Sequence, residues 1–219
     1  MTPMKEDYLK IIFELGGTSK LVSNKNLAMS LGVAAGSVTE MINKMADEKL
    51  VTHEPYSGIR LTNKGKKLAE ELVRKHRIWE TFLNQKLHFG IADVHDEAEK
   101  LEHVTSDEMI DRLDDFLDNP THCPHGGVIP TRDGHYASES YTPLNEAKTG
   151  STVIIERFID NHDLLVHLTK VQIDLGDKIK VVSRDGFDNS LTVDNLTDKI
   201  NGIVIGEKTA NNVFVNIFK

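Results

Sequence analysis

Four of the six prolines, Pro120, Pro124, Pro130 and Pro143, crowd into one stretch with Gly126, Gly127 and Gly134. Each proline removes a backbone donor and fixes its own φ, so this stretch reads as a long connector rather than a helix or a central strand. The chain follows different rules on either side of it. Before it, apolar residues recur at helical spacing, with a helix start at Thr2 and Pro3 and a stop at Gly16 and Gly17. After it come five short β-branched runs, at 152–155, 178–182, 190–193, 202–205 and 212–218, separated by turn residues. That spacing predicts a small β-barrel. The fold class is α+β and multi-domain.

At 219 residues the chain is long enough for one full core or two small ones. Its 39% hydrophobic and 27% charged residues are ordinary values for a folded protein and exclude wholesale disorder. No run of about 18 apolar residues occurs, which argues against a membrane span. The first residues lack a basic-then-apolar signal, so export is not expected. A single cysteine, Cys123, excludes an internal disulfide and fits a reducing compartment, so a cytoplasmic location is expected. The net charge of −8 is unevenly spread, +3 over residues 1–80 and −11 over residues 81–219. A basic front on an acidic body points to a polyanion partner at one end.

Residues 24–43 have the pattern of a helix-turn-helix. Leu27 and Ala28 come first, then Leu31, Gly32 and Val33 at the turn, then Val38 and Met41 on the second helix. Ala28 is small where two helices cross, and Gly32 supplies the positive φ of a tight turn. Leu27, Leu31, Val33, Val38 and Met41 are then expected inside. Ala35, Ser37, Thr39, Glu40 and Asn43 are expected outside, short side chains suited to a major groove. Residues 50–62 follow as strand, turn and strand, with Tyr56, Ser57 and Arg60 near the tip and Thr62 capping the next helix. This is a winged arrangement. Lys25, Lys44 and Arg60, with Lys20, Lys49, Lys64, Lys66 and Lys67, are available for phosphates. The plainer alternative is a helical hairpin that only packs.

The following helices carry metal-binding chemistry. His76 and Glu80 are four apart and share a face with leucines, so they need partners if that face is buried. His95, Glu99, Glu102 and His103 lie at offsets 0, 4, 7 and 8, within roughly 120° of one helix circumference. Two imidazoles and two carboxylates in one row repel unless a cation sits among them. His122, Cys123 and His125 form a softer group in the proline-rich connector. Taken singly, each of these residues is more simply a solvated or satisfied side chain.

Together, residues 5–9, the winged helix, residues 74–77, the Glu-x-x-Glu-His at 99–103 and the Cys-Pro-His-Gly-Gly at 123–127 resemble the DtxR/MntR family of metal-dependent transcriptional repressors. The chain is most similar to the long, SH3-like-tailed manganese regulators of streptococci and relatives. The resemblance implies a winged helix-turn-helix DNA-binding domain at 1–72 and a helical dimerisation and metal-binding domain at 73–140. A linker at 141–151 and an SH3-like domain at 152–219 would follow. It places the primary metal site on Asp7, Glu99, Glu102, His103 and the Cys123/His125 segment. The ancillary site falls on His76, Glu80 and His95, and Asp160 is the preferred ligand from the SH3-like domain, over His162 and Asp163. Mn²⁺ is the implied ion, with Fe²⁺, Zn²⁺ or Cd²⁺ as substitutes, and hard carboxylates at Asp7 and Glu99 agree with that choice. Lys10 stands where short manganese regulators of the family have a glutamate, so their closely paired two-metal site is not expected.

The implied function is repression of metal-uptake genes by a homodimer on a palindromic double-stranded DNA operator, with no catalytic role and no membrane partner. Bound metal would fix the reading domain against the helical domain. Without it the carboxylates would repel and the two winged domains would sample many spacings. Competing readings are an iron-responsive member of the same family, a winged-helix regulator sensing an organic ligand, and a metalloenzyme activating water at Glu99, Glu102 and His103.

Overall fold

The computed structural model describes residues 1–54, 57–136 and 142–217. Among them the chain forms two compact units. One comprises Met1–Trp79, Glu99–Phe116 and Ile129–Tyr136; the other comprises Glu80–Ala98, Leu117–Val128 and the described part of Ala137–Lys219.

The first unit opens with α1 (Pro3–Glu14), which starts on a proline whose missing N–H a helix start does not need. Helices α2 (Asn24–Leu31) and α3 (Ala35–Asp47) follow, then the antiparallel pair β1 (Val51–Glu54) and β2 (Gly58–Leu61). Ser23 caps α2 by accepting the Asn26 N–H, and Gly32 closes it in the left-handed region at φ 64°. Thr62 caps the long α4 (Asn63–Leu87), its Oγ1 accepting the Gly65 N–H at 3.1 Å. One core joins Leu9, Ile12 and Phe13 of α1 to Leu27, Val38, Ile42, Met45, Ile59 and Val73.

The inward register of α3 differs from the expected one. Val38, Ile42 and Met45, spaced as one helical stripe, are fully buried, whereas Met41 borders the core and Val33 is 36% exposed. Val33 sits in the turn before α3, outside that stripe. The segments 99–102 of α5 (Val94–Glu102) and α6 (Asp107–Phe116) complete the unit. Arg74 of α4 pairs with Asp114 of α6 at 2.6 Å and with Asp111 at 3.1 Å.

The second unit is built on a five-stranded antiparallel sheet of order β6-β5-β4-β3-β7: β3 (Thr152–Phe158), β4 (Lys178–Arg184), β5 (Leu191–Asn195), β6 (Ile200–Ile205) and β7 (Val213–Ile217). All five β-branched runs are strands. Among the described residues the sheet stays open, with β6 and β7 as its edges, instead of closing into a barrel. Alternating residues of β3, β4 and β5, among them Val153, Ile155, Ile179, Val181, Leu191 and Val193, face a core closed by α7 (His162–Val171) and the short α8 (Glu207–Ala210). Leu144 and Ala147, in the stretch read as a linker, are buried in that same core. The expected boundary near residue 72 falls inside α4, which continues unbroken to Leu87.

Candidate functional sites

Helix α3 presents a surface rather than a pocket. Ala35, Ser37, Thr39, Asn43 and Lys44 are all exposed, as are Lys25 on α2 and Arg60 on β2. On the wing, Arg60 points outward between the inward Ile59 and Leu61. Thr39 donates its hydroxyl to the Ala35 carbonyl, and Lys44 pairs with Glu40 at 2.7 Å. Ser37 and Asn43 carry the other exposed hydrogen-bonding groups expected to face bases. Tyr56 lies outside the described residues.

Each unit holds a group of metal-ligating side chains within itself. In the first, Asp7, Glu99, Glu102 and His103 each bring a donor atom within 4.8 Å of the others. Helix α1 supplies Asp7, the last turns of α5 supply both glutamates, and His103 follows directly. His103 donates Nδ1–H to Glu6 at 2.6 Å and places Nε2 3.1 Å from Asp7. Burial and the neighbouring Glu99 and Glu102 push the Asp7 carboxyl up against the opposing pull of His103 and Lys10. Its Oδ1 is buried without a hydrogen bond. Three carboxylates and one imidazole around such an atom form a hard, oxygen-dominated donor set, which fits a divalent ion such as Mn²⁺.

Two nitrogen groups not expected at this site stand beside it, Lys10 and His76. Lys10, one turn after Asp7, is 2% exposed and donates to Glu102 Oε1 at 2.9 Å and to Glu99 Oε1. His76 of α4 pairs with the other oxygen of Glu102. Burial opposes a charge on Glu102, yet His76 and Lys10 hold its carboxyl down at about 2. Lys10 is pushed above the ordinary lysine range despite its burial, by Glu102 and Glu99. The metal-free carboxylates are therefore bridged, not left to repel as the row of charges implied. The sequence held one signal of this, a lysine on the same face as Leu9 and Phe13.

The second group joins Glu80, Cys123 and His125, again with donor atoms within 4.8 Å of one another. Asp160, just after β3, is 3.7 Å from His125 Nδ1 and 2.6 Å from His95 Nδ1. Cys123 and His125, expected at the primary site, group with Glu80 and Asp160 inside the second unit. Of the residues expected at the ancillary site, Glu80 and His95 lie with Asp160 in the second unit, and His76 precedes Glu80 by one turn of α4. His162 donates to the Ala92 carbonyl at 2.9 Å and remains exposed, which leaves Asp160 as the sheet's contribution.

The loop carrying Cys123 and His125 is held by its backbone. Gly126 donates to the Cys123 carbonyl, Cys123 donates to Gly127, and Phe158 of β3 donates to the His125 carbonyl at 3.0 Å. Gly126 has φ 82°, and a Cβ there would sit 2.1 Å from the Glu156 carbonyl oxygen, so only glycine fits. His125 donates Nε2–H to the Ile91 carbonyl at 2.8 Å, which turns Nδ1 toward Glu80, 3.1 Å away. A hydrogen bond from the far ring nitrogen fixes the tautomer of a ligating imidazole. Burial disfavours charge on His125, but Glu80, Cys123 and Asp160 push it up to about 12. Without a metal ion, a proton on Nδ1 balances the acids; the donor set therefore fits a cation, and the thiol makes it softer than the first.

Comparison with known proteins places these geometries. Residues 1–59 match the iron dependent repressor N-terminal DNA binding domain, residues 62–131 the iron dependent repressor metal binding and dimerisation domain, and residues 142–217 the FeoA domain. The chain is 30% identical over 192 residues to the diphtheria toxin repressor of Corynebacterium diphtheriae, covering 83% of this chain and 85% of that one. It is 36% identical over 118 residues to the HTH-type transcriptional regulator MntR of Oceanobacillus iheyensis, covering 53% and 78%. The structure of the manganese regulator SloR superposes over 100% of both chains with a TM-score of 0.85 at 36% identity. ScaR, solved with bound Zn²⁺ and with bound Cd²⁺, is 36% identical, covers 98% of this chain and 99% of its own, and gives TM-scores of 0.84 and 0.83. With its DNA-binding, metal-binding and FeoA parts all matched, the chain belongs to the DtxR/MntR family of metal-dependent transcriptional repressors.

Proposed function

We propose that this chain represses metal-uptake genes in response to intracellular Mn²⁺, as a cytoplasmic homodimer on a palindromic operator and without catalytic activity. The observation that carries this reading is the first donor group, in which Asp7 of the reading domain meets Glu99, Glu102 and His103 of the helical domain within 4.8 Å. A divalent ion bound there supplies positive charge shared by both domains. Asp7, Glu99 and Glu102 would hold it through oxygen, with His103 contributing Nε2 once Asp7 turns to the ion. Asp7, Glu99 and Glu102 lie on helices, so fixing them fixes the attitude of α3, whose exposed Ser37, Thr39 and Asn43 would read base edges. Metal raises DNA affinity only as far as it favours the competent arrangement, and DNA must raise metal affinity equally. None of the described helices is long and apolar enough to cross a membrane.

Cys123 supports a second reading, an iron-responsive repressor, because its thiol gives the group at Glu80, His125 and Asp160 a softer character. Fluorescence anisotropy on the promoter of a metal transporter, titrated with Mn²⁺, Fe²⁺ and Zn²⁺, separates the two. The expected result is tight binding with Mn²⁺ and release by chelator. Tight binding that needs Fe²⁺ supports the second reading, and binding indifferent to chelator overturns both.

A further inference from the structure

Lys10 has no part in the donor group as a ligand, yet at 2% exposed it is nearly as enclosed as Glu102 itself. Its ammonium contacts Glu99 Oε1 and Glu102 Oε1, two of the four side chains that would bind metal, and lies 3.4 Å from His76 Nδ1. His76 takes the remaining Glu102 oxygen, Glu6 accepts from His103 Nδ1, and Asp7 Oδ1 lies 3.1 Å from His103 Nε2. The carboxylates of the cluster are thus internally paired, and Lys10 ties α1 to α5 at the place where a metal would.

We propose that Lys10 is a tethered counter-ion that competes with the divalent cation for Glu99 and Glu102, and thereby raises the metal concentration at which this protein responds. This rests on the reading of Asp7, Glu99, Glu102 and His103 as a metal site. An incoming ion must draw both glutamate oxygens away from the ammonium, or share them with a like charge a few ångströms off. Either route weakens binding relative to the same carboxylates without Lys10. The lysine also spares the ion-free protein the mutual repulsion of three acids, so it stabilises that state in particular.

The test uses the full chain, prepared with Mn²⁺ and then stripped with chelator. Lys10→Gln and Lys10→Met should each bind Mn²⁺ at least about tenfold more tightly by calorimetry. Both should melt at lower temperature than wild type when stripped, and both should gain more melting temperature on adding Mn²⁺. Affinity unchanged or weaker in both variants overturns the proposal. If one variant does not survive stripping, the other decides. Asp7→Asn separates the two layers: it should weaken Mn²⁺ binding in the wild-type background. Unchanged affinity in Asp7→Asn removes the metal site and the proposal with it, whereas weakened affinity without tightening at Lys10 overturns the counter-ion alone.

Discussion

Glu102 is the most heavily committed side chain of the first donor group, 1% exposed and bonded through both oxygens. Glu102→Gln should therefore act twice. It should weaken Mn²⁺ binding, and wild-type affinity in calorimetry would remove Glu102 from the ligands. It should also destabilise the chelated protein by about 3 kcal/mol, because Lys10 loses a buried carboxylate partner; urea unfolding that matches wild type would contradict this. The ligating residue types were legible from spacing, since a helix puts Glu99, Glu102 and His103 on one side whatever surrounds it. The grouping of Asp7 with Glu99, Glu102 and His103 came from the family resemblance and not from spacing. Which of Cys123, His125, Glu80 and Asp7 share a centre depends on how distant segments meet, and Lys10 was readable as a departure but not as a partner. A local periodicity holds no information about contacts 89 or 92 residues apart, such as Lys10 with Glu99 and Glu102.

Two loops make tests of elements possible. In the connector, Gly126→Ala forces an L side chain into a left-handed backbone and against the Glu156 carbonyl. It should destabilise the protein by more than about 2 kcal/mol and lower Cd²⁺ binding by the Cys123 group. An unchanged melting temperature would show that the loop relaxes freely. On the wing, Arg60→Ala should weaken binding to all DNA sequences alike and flatten the salt dependence by about one unit of slope. A slope equal to wild type would take Arg60 off the phosphates. At this scale the sequence was most informative: turn residues and β-branching located all five strands, and Thr62 the start of α4. It was less so at Val33, where the turn sets the side chain outward against the simple apolar pattern. It also missed the open edge of the sheet, because strand runs carry no record of whether the first and last ones pair.

For the whole molecule, the operator supplies the ruler. If two reading heads must sit one helical turn apart, inserting about five base pairs between half-sites turns one head away from its groove, and about ten brings it back. Mobility shifts with Mn²⁺ should show loss and then recovery of tight binding; indifference to the insertion would argue against paired heads on a palindrome. The +3 front of an acidic chain adds non-specific attraction for the duplex without supplying sequence information. Sequence preference is left to the outer face of α3, and this face is mechanically idle. Val38, Ile42 and Met45 anchor that helix in the core with Met41 and Ala46 at its border, so exchanging Ala35, Ser37 or Asn43 should shift stability by no more than about 0.5 kcal/mol. The address such a protein recognises can therefore drift, or be rewritten by an engineer, while the sensing apparatus behind it stays untouched.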